Sequence, residues 1–272
     1  MPAKHPEKDR NFDDLTHRFA RNIYQTPKGQ LRLAVLERDF GVIPKAPALE
    51  VMDVGAGQGQ FGLWLAAQGH DVTLVDVSAE MLAKAKAESQ GVIFSIAPTF
   101  IQQDLWAFCA EREPESCDLV VCHAVLEWLE RPLEAAERLA ALVRPGGYLS
   151  LLFYNIHGLV FKNLLRTNYK RVLKGDTKGQ RGSLTPINPL APIDVLEAMA
   201  RLNLNTLAHS GVRVFHDYIL NRENRLRDYE TVEALELSLS NQEPYRGLGR
   251  YVHVLAQKEM ASPAGIEPTS KP

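Results

Sequence analysis

The sequence predicts an α/β domain built on a doubly wound parallel sheet, and three observations carry that expectation. From residue 48 onward, short apolar segments alternate with amphipathic segments of helical spacing. A glycine-rich stretch, Val51-Met52-Asp53-Val54-Gly55-Ala56-Gly57-Gln58-Gly59, sits where a first strand would hand over to a first crossover helix. Asp76 closes the second apolar segment, 19 residues after Gly57. Apolar strands separated by helices need cover on both faces, which right-handed crossovers over a parallel sheet supply.

The elements follow in order. Within residues 1–45, Phe12, Leu15, Phe19 and Ile23, then Leu31, Val35 and Leu36, fall at helical spacing and predict an N-terminal helical cap. The run VIPKAP breaks the chain before the first strand, LEVMDV. QFGLWLAAQG reads as a helix with Phe61, Trp64 and Leu65 on one face, and DVTLVDV as the second strand. SAEMLAKAKAES is a helix with Ser78 as N-cap and Glu80 in its first turn. TFIQQD and DLVVCHA are the third and fourth strands. RPLEAAERLAALV is a helix with Leu133, Ala136, Ala140 and Val143 inward, stopped by RPGG, and YLSLLFYN is the fifth strand.

Residues 156–191 interrupt this rhythm as a basic insert or substrate cap. Its segment 162–181 carries Lys162, Arg166, Lys170, Arg171, Lys174, Lys178 and Arg181 against the single acid Asp176. Such a run is either a solvated face or a phosphate-contacting one. PIDVLEAMARLNL resumes as a helix opened by Pro192. GVRVFHDYI and GRYVHVLAQK read as the last two strands, with a charged helical stretch over 221–242 between them. The main domain is thus expected over 46–258, and 259–272 is expected to be a disordered tail.

Composition bounds the function. A chain of 272 residues, 45% hydrophobic and 24% charged with a formal net charge of −2, gives no global case for nucleic-acid binding, so an RNA partner must be met locally. No apolar run approaches the ~20 residues of a membrane span. The charged start, MPAKHPEKDRNFDD, lacks the apolar core of a secretory signal. Cys109, Cys117 and Cys122 are odd in number and have no metal-like partners in sequence. They read as core thiols of a cytoplasmic protein, with no metal and no obligatory protein partner expected.

The glycine stretch admits two cofactors. Counted from Gly57 it is G-x-G-x-x-G, a dinucleotide turn; counted from Gly55 it is D-x-G-x-G-x-G, a turn that holds S-adenosylmethionine. Asp53 decides between them. A carboxylate two residues before the first glycine is a poor neighbour for a pyrophosphate, but suits a ligand bringing a sulfonium and an α-ammonium. Asp104, at the end of the third strand, adds a side-chain acceptor for an adenine amine.

In this order and spacing, D-x-G-x-G-x-G, Asp76, Asp104 and RPGG resemble the class I S-adenosylmethionine-dependent methyltransferases over roughly residues 48–155. The motifs DRNFDD, RNIY, KGQLR, HAVLEWL, FYNIHGL, GVRVFHDY and QEPYRGLGRYVHV extend the likeness from about Asp9 to Lys258. There the chain is similar to the tRNA 5-carboxymethoxyuridine methyltransferases. The resemblance implies a seven-stranded Rossmann-like sheet in the order 3-2-1-4-5-7-6 with the seventh strand antiparallel. It implies methylation of the carboxylate of 5-carboxymethoxyuridine at the tRNA wobble position. It also implies that Arg32 meets the methionine carboxylate and that Gly55 and Ala56 (the latter in place of a family glycine) form loop contacts. Asp76 would take the ribose, Gln103 or Asp104 the adenine, and His123 a further cofactor contact.

An ionised carboxylate is already a nucleophile at neutral pH, so no general base is required. The substrate must instead be held by donors, among which bidentate arginine is the best suited. Tyr24, Tyr154, His157, Arg213, His216, Tyr245, Arg250 and Tyr251 are the candidates; Arg213 or Arg250 is expected on the carboxylate or a phosphate, and Tyr154 along the methyl path. Two other readings stay open at this point. One is a small-molecule carboxyl or oxygen methyltransferase whose insert is a lid; the other is a non-catalytic domain that binds S-adenosylmethionine and a partner.

Overall fold

The computed structural model describes residues 26–44, 47–176, 186–225 and 227–260. The first helix of the described residues, α1 (Pro27–Phe40), opens with proline at its first position, where the missing N–H costs nothing, and buries Leu31, Val35 and Leu36. It is followed by β1 (Glu50–Val54), α2 (Gln60–Ala67), β2 (Asp71–Asp76), α3 (Ala79–Ser89) and β3 (Thr99–Gln102). Next come α4 (Leu105–Ala110), β4 (Cys117–His123), α5 (Pro132–Leu142) and β5 (Val143–Tyr154). The chain continues through α6 (Ile156–Leu165), α7 (Tyr169–Leu173), α8 (Pro192–Arg201), β6 (Leu204–Val212), α9 (Tyr229–Leu239) and β7 (Tyr251–Lys258).

The strands form one sheet in the order β3-β2-β1-β4-β5-β7-β6. All run parallel except β7, which pairs antiparallel with both β5 and β6. Successive side chains alternate between faces. On β4, Leu119 and Val121 pack with α1 and α2, through Val35, Leu36, Phe61 and Leu65. Val120 and Cys122 face the opposite core, built by Phe108 of α4, Leu139 of α5, and Val195 and Met199 of α8. The three cysteines are buried there and unpaired. Among the described residues no helix is long and apolar enough to cross a membrane.

The fold and strand order are those the sequence and its resemblance predict, and Ser78 caps α3 by accepting from the Met81 N–H. Two boundaries differ. RPGG does not stop a helix: α5 ends at Leu142, and the four residues belong to β5, which starts at Val143 with a register shift opposite Cys117 and Leu119. Gly147 is required there, because a Cβ would lie 2.7 Å from the Asp118 carbonyl oxygen. The sixth strand is not GVRVFHDYI but Leu204–Val212; it ends where Arg213 turns into the left-handed region at φ 58°. Being at the sheet edge, β6 shows no clean alternation of buried and exposed residues, whereas Val212, Val214 and the buried Arg213 beyond it read as strand. The expected first cap helix before residue 26, most of residues 177–191 and the tail beyond 260 lie wholly or partly outside the described residues.

Candidate active site

A cleft opens at the carboxyl ends of β1 and β4, where ligands of open α/β sheets bind. Gly29, Gln30, Arg32, Leu33 and Leu36 of α1 line it on one side, facing Asp53, Gly55, Ala56, Gln60, Phe61 and His123. Gly55, Gly57 and Gly59 all have positive φ, at 79°, 59° and 75°, so the alternating glycines answer to backbone geometry. A Cβ on Gly55 would also run into the Val125 side chain.

The loop spends its amides internally. Gly55 and Ala56 donate to the Val75 carbonyl, Gly59 donates to that of Ala56, and the Gly57 N–H donates to Asp76 Oδ2 at 2.8 Å. A phosphate-cradling loop presents such N–H groups to its ligand; this one does not. Beneath it the Asp53 carboxyl is buried, and burial, followed by the nearby Asp76 charge, pushes its pKa up to about 7 against the pull of Arg32 and the Gly62 N–H. Two acids crowded under a loop with its amides already donated fit a cationic, phosphate-free ligand.

His123 is fixed by a buried polar chain that sequence reading missed. Its Nε2 lies 2.9 Å from Ser150 Oγ, which lies 2.9 Å from His253 Nε2. His253 Nδ1 is 2.7 Å from Asp39 Oδ2, and Arg38 donates to Asp39 Oδ1. Arg38 also reaches Ser210 of β6 and the Leu237 carbonyl of α9. Asp39 accepts only, so His253 carries a proton on Nδ1, and the Ser150 hydroxyl bridges the two Nε2 atoms of His253 and His123. Burial, then His253 and Arg32, holds the His123 pKa well below the ordinary value, so the ring is neutral. Residues 39, 150 and 253 carry no shared sequence signal, and only the sheet brings them together.

A second cluster stands beyond the cleft, where β5, β6 and β7 end. Tyr154 and Tyr251 are register partners whose rings meet edge-on at 5.2 Å. Arg250 lies over the Tyr154 ring at 4.9 Å, and Arg213 over the Tyr251 ring at 5.3 Å. Arg32 approaches the Tyr251 ring at 6.0 Å, linking the cluster to the cleft. Between the two arginines sits Asp217, 3.6 Å from Arg213 Nη2 and 3.7 Å from Arg250 Nε. Burial opposes its charge, but Arg213, then His216 and Arg250, hold its pKa well below the carboxylate range. The turn that presents Arg213 is anchored by the buried Glu236 of α9, which accepts from the N–H groups of Val214, Phe215 and His216 at 2.8, 3.1 and 2.7 Å. Asn155 does the same for the other side, donating to the Gly247 and Gly249 carbonyls beside Arg250.

Buried polar atoms without a hydrogen-bond partner concentrate here among the described residues. They include Arg213 Nε, Arg250 Nη1, Asp217 Oδ1, both ring nitrogens of His216 and both oxygens of Glu127. Native interiors leave few such atoms, so their gathering marks a place for a polar ligand. Glu127 is fully buried just after β4, and burial pushes its pKa up to about 8.

The structure thus brings Arg32, Asp53, Gly55, Ala56 and His123 to one cleft, and Tyr154, Arg213, His216, Arg250 and Tyr251 to the adjoining cluster. Gly57 and Asp76 stand at the loop, and the Gln103 N–H donates to the Asp76 carbonyl beside them. Asp104 caps α4, its Oδ1 accepting from Trp106 and Ala107. His157 and Tyr245 are exposed instead. Lys162 and Arg166 turn toward the cluster, Arg171 pairs with Asp176, and Lys170 and Lys174 are exposed. Tyr24, Lys178 and Arg181 lie outside the described residues. Asp217 and Glu236 were legible only as acids within and after GVRVFHDY, and Glu127 only as the acid of HAVLEWL.

Comparison with known proteins agrees with this geometry. Residues 52–151 match the family described as "Methyltransferase domain". The chain is 40% identical over 260 residues to the tRNA 5-carboxymethoxyuridine methyltransferase of Escherichia coli (strain K12), covering 92% of this chain and 97% of that one. It is 27% identical over 197 residues to the ubiquinone biosynthesis O-methyltransferase of Vibrio cholerae (strain ATCC 39541 / Classical Ogawa 395 / O395), covering 70% and 77%. In fold it is similar to magnesium protoporphyrin IX methyltransferase of Synechocystis PCC 6803 with bound SAH, with a TM-score of 0.59 and 18% identity over 91% of this chain and 96% of that one. The chain belongs to the tRNA 5-carboxymethoxyuridine methyltransferase family, on the class I methyltransferase fold.

Proposed function

We propose that this protein methylates the carboxylate of 5-carboxymethoxyuridine at the tRNA wobble position, with S-adenosylmethionine as methyl donor and a methyl ester as product. The likeness to the Escherichia coli enzyme over nearly its whole length supports the substrate. The observation that carries the reading is the pair of buried arginines, Arg213 and Arg250, beside the cofactor cleft with unpartnered donors. Such donors suit a carboxylate, and burial strengthens their grip on it.

The residues of the cleft fit the cofactor. Its loop donates its amides within the protein, its acids favour a cation, and Arg32 stands ready for the methionine carboxylate. Asp53, Gly55, Ala56, Gly57 and His123 would hold the methionine side, with Asp76 on the ribose and Gln103 or Asp104 on the adenine. Bound there, S-adenosylmethionine supplies a methyl group made electrophilic by its sulfonium. Arg213 and Arg250 fix the attacking carboxylate, and the Tyr154 and Tyr251 rings wall the path and exclude water. No residue needs to take a proton, since the nucleophile is already ionised.

The test is methyl transfer from radiolabelled S-adenosylmethionine to bulk tRNA from cells with and without the carboxymethoxy modification. Label is expected only in the first pool, and mild alkali should release it as an ester does. Label in neither pool would refute the tRNA reading and leave a small-molecule acceptor or a non-catalytic role.

A further inference from the structure

A second hollow lies behind the arginine pair and is assigned no role by the cofactor site or the carboxylate. Lys162 and Leu165 of α6, with Arg166 at its C-cap, form one wall; Asp217, Tyr218, Ile219, Leu220 and Arg225 form the other. Lys162 and Arg166 are one helical turn apart and so share a face. The floor is built: the Tyr218 hydroxyl lies 2.7 Å from the Leu248 carbonyl and 3.1 Å from that of Gly158, its one proton facing both, and its ring meets Phe161 edge-on at 5.0 Å.

Charge is out of balance in this hollow. Three cations line it against one acid, and that acid, Asp217, is already shared between Arg213 and Arg250. Arg225 holds the far wall by donating from Nη2 to the Asp217 and Ile219 carbonyls, while its Nε is buried and unpartnered. Burial, then the Arg250 and Arg166 charges, outweighs the pull of Asp217 and pushes the Lys162 pKa down to about 7, so a further anion beside it would favour its charged form. The substrate carboxylate is met by Arg213 and Arg250, so the hollow next to them calls for another anion.

We propose that Lys162, Arg166 and Arg225 form a phosphate subsite that grips a phosphodiester flanking the modified nucleotide. The inference rests on the tRNA reading above and adds to it how the RNA is held. Through Asp217 the subsite touches both arginines, so one phosphate seated there sets the reach of the neighbouring base toward the cleft. It also gives the basic insert a divided role: Lys162 and Arg166 enter the site, while Arg171 pairs with Asp176.

The experiment is a double-perturbation cycle on binding of a synthetic anticodon stem-loop carrying 5-carboxymethoxyuridine. One perturbation is the Lys162→Ala/Arg166→Ala protein; the other is a loop whose phosphates flanking the wobble nucleotide are uncharged methylphosphonates. Each alone should weaken binding about tenfold and lower the salt dependence, and the two together should weaken it little further. Affinity for S-adenosylmethionine should stay unchanged in the variant, which controls for folding. Losses that multiply, an unaffected variant, or a wild-type protein that does not bind the loop would each overturn the subsite. Tight, non-additive binding without methyl transfer would leave the subsite standing and sink the proposed reaction.

Discussion

Replacing Glu127 by Gln should stabilise the protein, and by an amount that grows with pH. The Glu127 carboxyl is fully buried, neither of its oxygens has a hydrogen-bond partner, and its pKa is raised from 4.5 to about 8. Below pH 4.5 it is neutral in folded and unfolded chains alike, and its charge costs nothing. As pH rises the unfolded chain ionises first while the folded chain keeps its proton until about pH 8, so stability falls across that window and levels off above it. At 1.36 kcal/mol per pH unit the loss is about 2 kcal/mol at pH 6 and about 4 kcal/mol at pH 8, as upper bounds. Gln matches the neutral acid in shape and does not ionise, so the difference between variant and wild type should be smallest below pH 4.5 and grow steadily from there to about pH 8. Urea unfolding of the cofactor-free proteins across this range reads the difference directly. Curves that stay parallel from pH 5 to pH 8 would refute the reasoning, because they would mean that the carboxyl ionises freely in the folded chain.

Other outcomes follow from the same geometry. Arg213→Lys and Arg250→Lys should each lower kcat/KM for tRNA roughly 10–100-fold, the worth of a charge-assisted hydrogen bond, while calorimetry shows cofactor affinity retained. Because Asp53 is neutral below about 7 and charged above it, affinity for S-adenosylmethionine should rise with pH through that value; Asp53→Asn should give a flat titration. His253→Gln or Ser150→Ala should weaken cofactor binding roughly 2–10-fold by releasing His123, and the double variant should be little worse than either single one.

The sequence makes the cofactor half of the site legible and the substrate half only in part. Gly55, Gly57 and Asp76 sit within a short local segment whose turn chemistry dictates residue type, so spacing alone exposes them. Arg213 and Arg250 stand out as cations within strand-like segments, yet the pattern puts the strand that ends at Val212 too far along the chain. The buried Arg213 and Val214 after it mimic a strand, and nothing local reveals that Glu236 holds Val214, Phe215 and His216 in a turn from 20 or more residues away. The Asp39–His253 contact spans 214 residues and depends on α1 crossing the sheet. The cation run of the insert has no inherent direction, and folding alone separates Lys162 from Arg171.

The position of α1 makes its docking and cofactor binding one equilibrium. The helix offers Gly29, Gln30 and Arg32 to the cleft at one end, and at the other Arg38 and Asp39 tie it to β6, β7 and α9. A ligand seated against its first turns therefore stabilises every contact at its last turn, and by reciprocity a loosened last turn taxes affinity. Saturation of the cleft should thus slow amide hydrogen exchange at Glu37, Arg38 and Asp39, residues that line no part of it. Helix α1 acts as a clasp whose grip on the donor is set from the opposite edge of the sheet.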